Sequence, residues 1–435
     1  MRPMRFRSPL ILLPMLTLLD GCSPDPTREI EGLRVGPWRA VLQLPGGELP
    51  FGMAVSVRDG KPLVTLINGA SRVEVDEIKI AADEATLLMP GFANRIVARI
   101  DGGTLRGELT MVKAKGVLQR IPFTATHGQT FRFSMPDQAT AALAPSADAG
   151  ATLEGRWALT FEDGGKNSPA VGEFVQRGAT VEGTIMTPTG DHRFLEGEYR
   201  DGELRLSKFD GGHVFLYRGS RQADGSISGR FWSGTAFEDR FVARRDPAAS
   251  LGDAENATRL AGAADRLQFR FPDLAGHEIS INDPFFRGKV IVVALAGSWC
   301  PNCHDEAAFL AEFHRRHRPR GFEVISLMFE QFGDFERAAA ATERFRRRYR
   351  IDYTTLIAGT SDKDEAAAKL PQLNGVFAFP TTIFVDRQGK VRRIHTGFSG
   401  PATGSHHRKL LADFEATVEA LLAEPAPPPL PLPAI

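Results

Sequence analysis

Gly297-Ser298-Trp299-Cys300-Pro301-Asn302-Cys303 follows the apolar run Lys289–Ala296 (KVIVVALA) and opens an amphipathic stretch, Pro301 to about His317. An unbroken run of β-branched and apolar residues reads as a strand buried on both faces, as in a parallel or mixed sheet. The pattern is therefore strand, tight turn, helix, with two cysteines at the helix start. A Cys-x-x-Cys is either a redox pair or half of a zinc site. Zinc needs four ligands, and the chain has no second Cys-x-x-Cys and no close Cys/His pair; its three cysteines are Cys22, Cys300 and Cys303. His304 adjoins Cys303, but neighbours on a helix point apart. The expectation is no metal and no cofactor beyond a redox-active Cys300–Cys303 disulfide. At a helix N-terminus the Cys300 thiolate is favoured by the macrodipole and by unpaired N–H groups, and the thiolate is the nucleophile. Pro301 suits the first helical position. Cys303, one turn on, is placed to resolve a mixed disulfide.

Outward from this motif, strand and helix signals alternate over 266–423. Phe322–Phe329 reads as a second central strand, Asp334–Tyr349 as a helix, Thr381–Asp386 and Val391–Thr396 as a hairpin, and His406–Leu422 as a terminal helix. Together with Phe379-Pro380-Thr381-Thr382 before a strand, the WCPNC motif resembles the thioredoxin superfamily. That resemblance implies a cis Pro380 across from the cysteines and a substrate groove formed with Trp299, Pro301 and Phe379. The subfamily resembled is that of TlpA/ResA-type thiol–disulfide oxidoreductases. Their acidic residue beside the cysteines is matched by Glu306, implied to relay the Cys303 proton. Thioredoxin itself uses an Asp six residues before the first Cys; here that position is Ala294. Leu370–Asn374, Ile394–Pro401 and the segment Thr187-Pro188-Thr189-Gly190-Asp191 also look like one group of TlpA-family lipoproteins with a β-rich N-terminal region. Members are typically exported and often reducing, which implies periplasmic thiol/disulfide proteins as clients and an upstream electron donor.

Residues 33–135 and 152–245 are strand-like, with short alternating runs punctuated by Asp-Gly and Asn-Gly turns. They look like a repeat. Gly36-Pro37-Trp38 matches Gly155-Arg156-Trp157, and Leu105-Arg106-Gly107 matches Ile227-Ser228-Gly229, at offsets of 119 and 122 residues. Two antiparallel β-meander, barrel-like units fit, as does one larger barrel built from both. The fold class is thus multidomain: an all-β N-terminal region followed by an α/β thioredoxin-like fold. Residues 136–151 and 246–265, rich in Ala, Pro and Asp, read as linkers, and 424–435 as a Pro-rich tail. Trp38 and Trp157 read as core plugs rather than ligand contacts.

Residues 1–22 carry three early arginines, the apolar run Leu10–Leu19, and Leu19-Asp20-Gly21-Cys22. This resembles a lipoprotein signal and lipobox, which implies that Cys22 is lipidated and anchors the chain to a membrane. Asp20 departs from the small residue usual there. Ser23 after the Cys favours the outer membrane of a bacterial envelope, facing the periplasm. Lys+Arg and Asp+Glu are both 53, so no global field recruits nucleic acid. The Arg-rich stretches His314–Arg320 and Arg344–Arg350 read as solvated helix faces. Glu330, His395 and the Gly397–Gly404 loop lie in segments expected near the cysteines.

The leading function is dithiol–disulfide exchange with envelope proteins. A thiol peroxidase is one alternative, though the positions that would hold its Pro and Thr/Ser are Val293 and Gly297. A binding or scaffold lipoprotein, with the β-units as its working part, is another.

Overall fold

The computed structural model describes residues 29–133, 152–163, 166–252 and 257–427. The signal segment with Cys22, the linker 136–151 and tail residues 428–435 lie outside the described residues. No helix among the described residues is long and apolar enough to cross a membrane.

Nine antiparallel strands from Gly36–Leu44 to Leu118–His127 make the first β-unit. Successive strands pair except Ser71–Val75 and Ile78–Ala81, which form the two ends of the sheet, and the last strand returns to the first, with His127 opposite Trp38. The second unit runs from Gly155–Asp163 to Phe237–Arg245. Its last strand also returns to its first, Trp157 opposite Arg245, and further pairing of Val171 with Met186 closes the ring. Each unit is an up-and-down, barrel-like sheet with a core of inward-facing apolar residues. There are two such sheets, not one larger barrel.

The sequence repeat has a physical counterpart. Trp38 Nε1 donates to the Arg34 carbonyl at 2.9 Å, and Trp157 Nε1 to the Leu153 carbonyl at 2.8 Å. Both indoles are buried, satisfying the polar edge of a large core side chain. Gly107 and Gly229 press against the neighbouring strand, where a Cβ would overlap the Val97 and Arg218 carbonyls respectively. The two barrels lie side by side. Asn68 Nδ2 donates to the Phe209 carbonyl at 2.8 Å, and Phe51 meets Phe209 at 5.1 Å between ring centroids.

The segment 246–265, read from its composition as a linker or loop, packs onto its neighbours where it is described. Ala249 packs against Val171 and Met186, the Ala261 N–H donates to Gln372 at 2.8 Å, and Leu260 bridges to Leu373. Its alanines and leucines have apolar surface to bury, which composition alone made look like spacer.

Elements of the C-terminal unit are numbered from its own sheet. Strands β1 (Val290–Ala296), β2 (Phe322–Glu330), β3 (Thr354–Thr360), β4 (Thr381–Val385) and β5 (Val391–Thr396) order as β3-β2-β1-β4-β5. β2 and β3 run parallel to the neighbour on their inner side, whereas β4 and β5 are antiparallel. Every residue of β1 and β2 is buried, as their continuous apolar runs require. Helices α1 (Pro301–His317), α2 (Phe335–Tyr349), α3 (Lys363–Lys369) and α4 (Ser405–Ala423) accompany the sheet. Asp334 caps α2, its side chain accepting from the Arg337 N–H. This is the expected thioredoxin-like arrangement. β3 and α3 went unread in the sequence: Thr354–Thr360 is short and ends beside Gly359, and α3 is only two turns.

If the two indoles are core plugs, Trp38→Ala and Trp157→Ala should each destabilise by about 3–5 kcal/mol. Urea unfolding followed by tyrosine and far-ultraviolet signals checks this; unchanged midpoints would show that the indoles carry no core.

Candidate active site

The site begins where β1 runs out. Gly297 makes the turn, and a Cβ there would stand 2.7 Å from the Phe329 carbonyl. Ser298 donates its N–H and hydroxyl to the buried Glu330 carboxylate at 3.0 and 2.7 Å, and Thr342 adds a third bond at 3.1 Å. Burial raises the Glu330 pKa, against those donors. Glu330 therefore holds the turn from behind. Trp299 Nε1 donates to the Phe329 carbonyl at 2.8 Å, and its ring meets Phe379 edge-on at 5.8 Å.

Cys300 is the N-cap of α1, with its Sγ accepting from the Cys303 N–H at 3.2 Å. Pro301 sits at the first helical position. A disulfide joins Cys300 to Cys303, with Cα atoms 5.2 Å apart. Cys300 is 4% exposed and Cys303 0%. The Phe379–Pro380 peptide is cis, and the Phe379 carbonyl lies 3.3 Å from Cys300 Sγ. The Gly397 N–H donates to the Pro380 carbonyl at 2.9 Å, so the Gly397–Gly404 loop borders the cis-proline segment. Trp299, Pro301, Phe379 and Pro380 thus surround the disulfide.

Glu306 stands three residues beyond Cys303, on the same face of α1. It is 1% exposed, and the Thr382 hydroxyl donates to it at 2.5 Å. Burial pushes its carboxyl up to about 7, with the Thr382 bond opposing. Thr382 faces Ala294 in the β1–β4 ladder. The strand offers no carboxylate at Ala294, and Glu306 approaches that ladder from the helix. A carboxyl titrating near neutrality suits proton exchange with a thiol. His395 lies opposite Thr382 in the neighbouring β4–β5 ladder, buried, with its imidazole lowered to about 4 chiefly by burial.

Sequence reading did not find the residues that the barrels bring. His304, set aside as pointing away from the cysteines, is buried. Its Nε2 lies 2.8 Å from the Ser298 carbonyl, and its Nδ1 lies 2.7 Å from the Tyr349 hydroxyl. Burial holds it neutral, at about 3. Phe92 of the first barrel stacks on its ring at 3.9 Å. From the second barrel, Asp191 reaches Asn302, and Arg193 bridges Asp210 and Asp305 at 2.7 and 2.8 Å. Gly212 faces Pro301, whose Cγ would stand 2.7 Å from a Cβ there. The Thr187–Asp191 segment was a sequence signal for this contact; Phe92 had none. The described residues contain no group of three or more His, Cys, Asp or Glu side chains able to hold a metal.

A family model described as Redoxin matches residues 262–410, and the chain carries this domain at its C-terminal end. The thiol-disulfide oxidoreductase ResA of Bacillus thuringiensis subsp. konkukian is 26% identical over 123 residues, 28% of this chain and 62% of that protein. ResA of Geobacillus kaustophilus is 26% identical over 140 residues, 32% of this chain and 72% of that one. The chain therefore spans about 62% of the length of the Bacillus relative. Among solved structures, a thioredoxin-family thiol:disulfide interchange protein from Chlorobium tepidum is 18% identical, with a TM-score of 0.29. That match covers 38% of this chain and 99% of that one. A secreted Mycobacterium tuberculosis disulfide oxidoreductase is 20% identical with a TM-score of 0.27, covering 35% and 96%.

Because the folded carboxyl of Glu306 lies above its ordinary 4.5, the native state binds that proton more tightly than the unfolded chain. Stability contributed at this site is intact below pH 4.5 and declines as pH rises to about 7. Glu306→Gln is expected to stabilise the protein by about 1–3 kcal/mol at pH 8 and not at pH 4. It should also slow resolution of a preformed mixed disulfide by about 10–100-fold. Thermal unfolding at both pH values and single-turnover thiol release are the measurements; an equal stability change at both pH values would exclude the raised carboxyl.

Proposed function

We propose that this chain is an exported thiol–disulfide oxidoreductase, anchored by a lipid on Cys22 and working as a reductase on protein disulfides in the bacterial envelope. The observation that carries the chemistry is the Cys300–Cys303 disulfide at the start of α1, facing the cis Pro380 and backed by a buried Glu306 that titrates near neutrality. Similarity to the thiol-disulfide oxidoreductase ResA supports the dithiol–disulfide chemistry. The lipobox-like segment supports the anchor.

In the reduced protein the Cys300 thiolate attacks a client disulfide, forming a mixed disulfide and expelling one client thiolate. Cys303 then gives its proton to Glu306 and attacks Cys300 Sγ. The Cys300–Cys303 disulfide forms, and the second client sulfur leaves as a thiol. Two electrons and the one proton of Cys303, handed on through Glu306 to the second leaving sulfur, have passed to the client. The first-expelled client thiolate takes its proton from water, and an upstream dithiol donor must restore the pair. Phe379 and Pro380 present the backbone against which the client's disulfide-bearing segment lies, with Trp299 beside it. Nothing at Val293 or Gly297 offers the hydroxyl that would orient a peroxide, since both positions are apolar or without a side chain.

Equilibration in glutathione or dithiothreitol buffers should reveal a single two-electron couple that Cys303→Ala abolishes. Cys303→Ala expressed in an envelope-competent host should accumulate proteins disulfide-linked to Cys300. The absence of a two-electron couple in the intact chain would overturn the oxidoreductase reading.

A further inference from the structure

The loop Thr187–Arg193 of the second barrel is built against the redox helix. Gly190 adopts φ +144°, and a Cβ there would stand 2.6 Å from Asn302 Oδ1, so the approach requires glycine. The next residue, Asp191, is 2% exposed. Its Oδ2 accepts from the Gly400 N–H at 2.5 Å and from Asn302 Nδ2 at 3.3 Å, and its carbonyl accepts from Asn302 Nδ2 at 3.2 Å. Its Oδ1 accepts from the Arg193 N–H at 2.6 Å. Asn302 lies between the two cysteines. Gly400 lies in the loop whose Gly397 N–H is bonded to Pro380. One carboxylate from the barrel therefore ties the first turn of α1 to the loop that borders the cis-proline.

We propose that Asp191 is a positioning residue of the redox pair: it fixes Asn302 and Gly400 around Cys300 and makes the Cys300 thiolate more costly, which renders the pair more reducing. The inference rests on the oxidoreductase reading above.

The charges around the carboxylate decide the sign. From the barrel, Asp191 interacts with Arg193 and Lys208, which in turn meet Asp210, His192 and His213; from α1 it meets Asp305, and from the 397–404 loop backbone only. Arg193 spends its guanidinium on Asp210 and Asp305, and Lys208 pairs with Asp210 at 2.9 Å. Burial holds His192 and His213 neutral, both lowered below the ordinary imidazole range. Three carboxylates thus face two cations beside the N-terminus of α1. Asp305 and Asp191 also crowd one another. A Cβ at Gly400 would stand 2.6 Å from Asp305 Oδ2 and 2.9 Å from Asp191 Oδ2, and that Asp305 oxygen has no hydrogen-bond partner. Burial raises both carboxyls, Asp305 to about 6. With all three carboxyls ionised the cluster carries an excess negative charge. It opposes the macrodipole at the point where reduction would place a thiolate. A destabilised reduced form is a stronger reductant.

The test uses Asp191→Asn, which keeps the shape and removes the charge, in the full chain. Its Cys300 pKa, from alkylation rates against pH, is expected to fall by about 0.5–1 unit. The exchange constant with glutathione should shift about three- to tenfold toward the reduced form, equivalent to ~15–30 mV. Asp191→Ser, neutral and smaller, should move both in the same direction and covers a folding defect in the first variant. The difference from wild type should narrow at pH 5, where the cluster takes up protons; a loss of packing alone would leave it constant. A normal couple in both variants with unchanged pKa and potential overturns the role of Asp191 while leaving the oxidoreductase reading intact. A wild-type chain without a couple overturns the oxidoreductase reading itself.

Discussion

The first turn of α1 is where three units of the molecule meet, and its closure is the constraint on which the rest depends. Its N-terminal N–H groups need partners or a negative charge, and one of them, on Cys303, finds the sulfur of Cys300. The flanks of the turn are closed from outside the C-terminal unit. Phe92 of the first barrel covers His304, and Asp191 and Arg193 of the second hold Asn302 and Asp305. A small α/β unit with its cysteines just past the end of its central strand has thereby become part of a larger structure.

This closure divides the labour between rigid and reactive groups. Glu330, Ser298 and Thr342 form a buried hydrogen-bonded set behind the turn, fully engaged and therefore static. Glu306 has a single neutral donor, Thr382, and is the carboxyl whose charge is left open to change. The contrast is one of hydrogen bonding rather than burial, since both carboxyls are about equally inaccessible. The barrels' aromatic and apolar cores supply the stiffness behind their loops, and the glycines at 190 and 212 let those loops come within contact distance of α1.

The β-units also explain their own repetition. In each sheet the last strand pairs with the first; the second unit closes its ring, and the first leaves only the short strands Ser71–Val75 and Ile78–Ala81 as edges. Trp38 and Trp157 occupy matching places, each with its indole N–H satisfied by a backbone carbonyl near the barrel entrance. Side by side, the two barrels present the Gly91-Phe92 and Thr187–Arg193 loops to a single helix end, which one barrel alone would not do.

Local sequence by itself determined much of the C-terminal unit. The run KVIVVALA had to be a strand buried on both faces, and Cys-Pro-Asn-Cys after it had to start a helix, because hydrophobic continuity and the missing N–H of proline act over a few residues. The matching Trp and Gly positions likewise made the repeat legible. Tertiary structure alone decided what surrounds the cysteines. Ala249 and Leu260 read as spacer until surfaces came to meet them. His304 read as a bystander because its partners, Phe92, Ser298 and Tyr349, come from three different places in the chain. Asp191 carried only a resemblance until Asn302 and Gly400, more than a hundred residues away, stood within hydrogen-bonding reach. Burial sets the Glu306 carboxyl, and burial together with the Arg193 and Asp191 charges sets that of Asp305. Those depend on which atoms exclude water, and no local pattern records them.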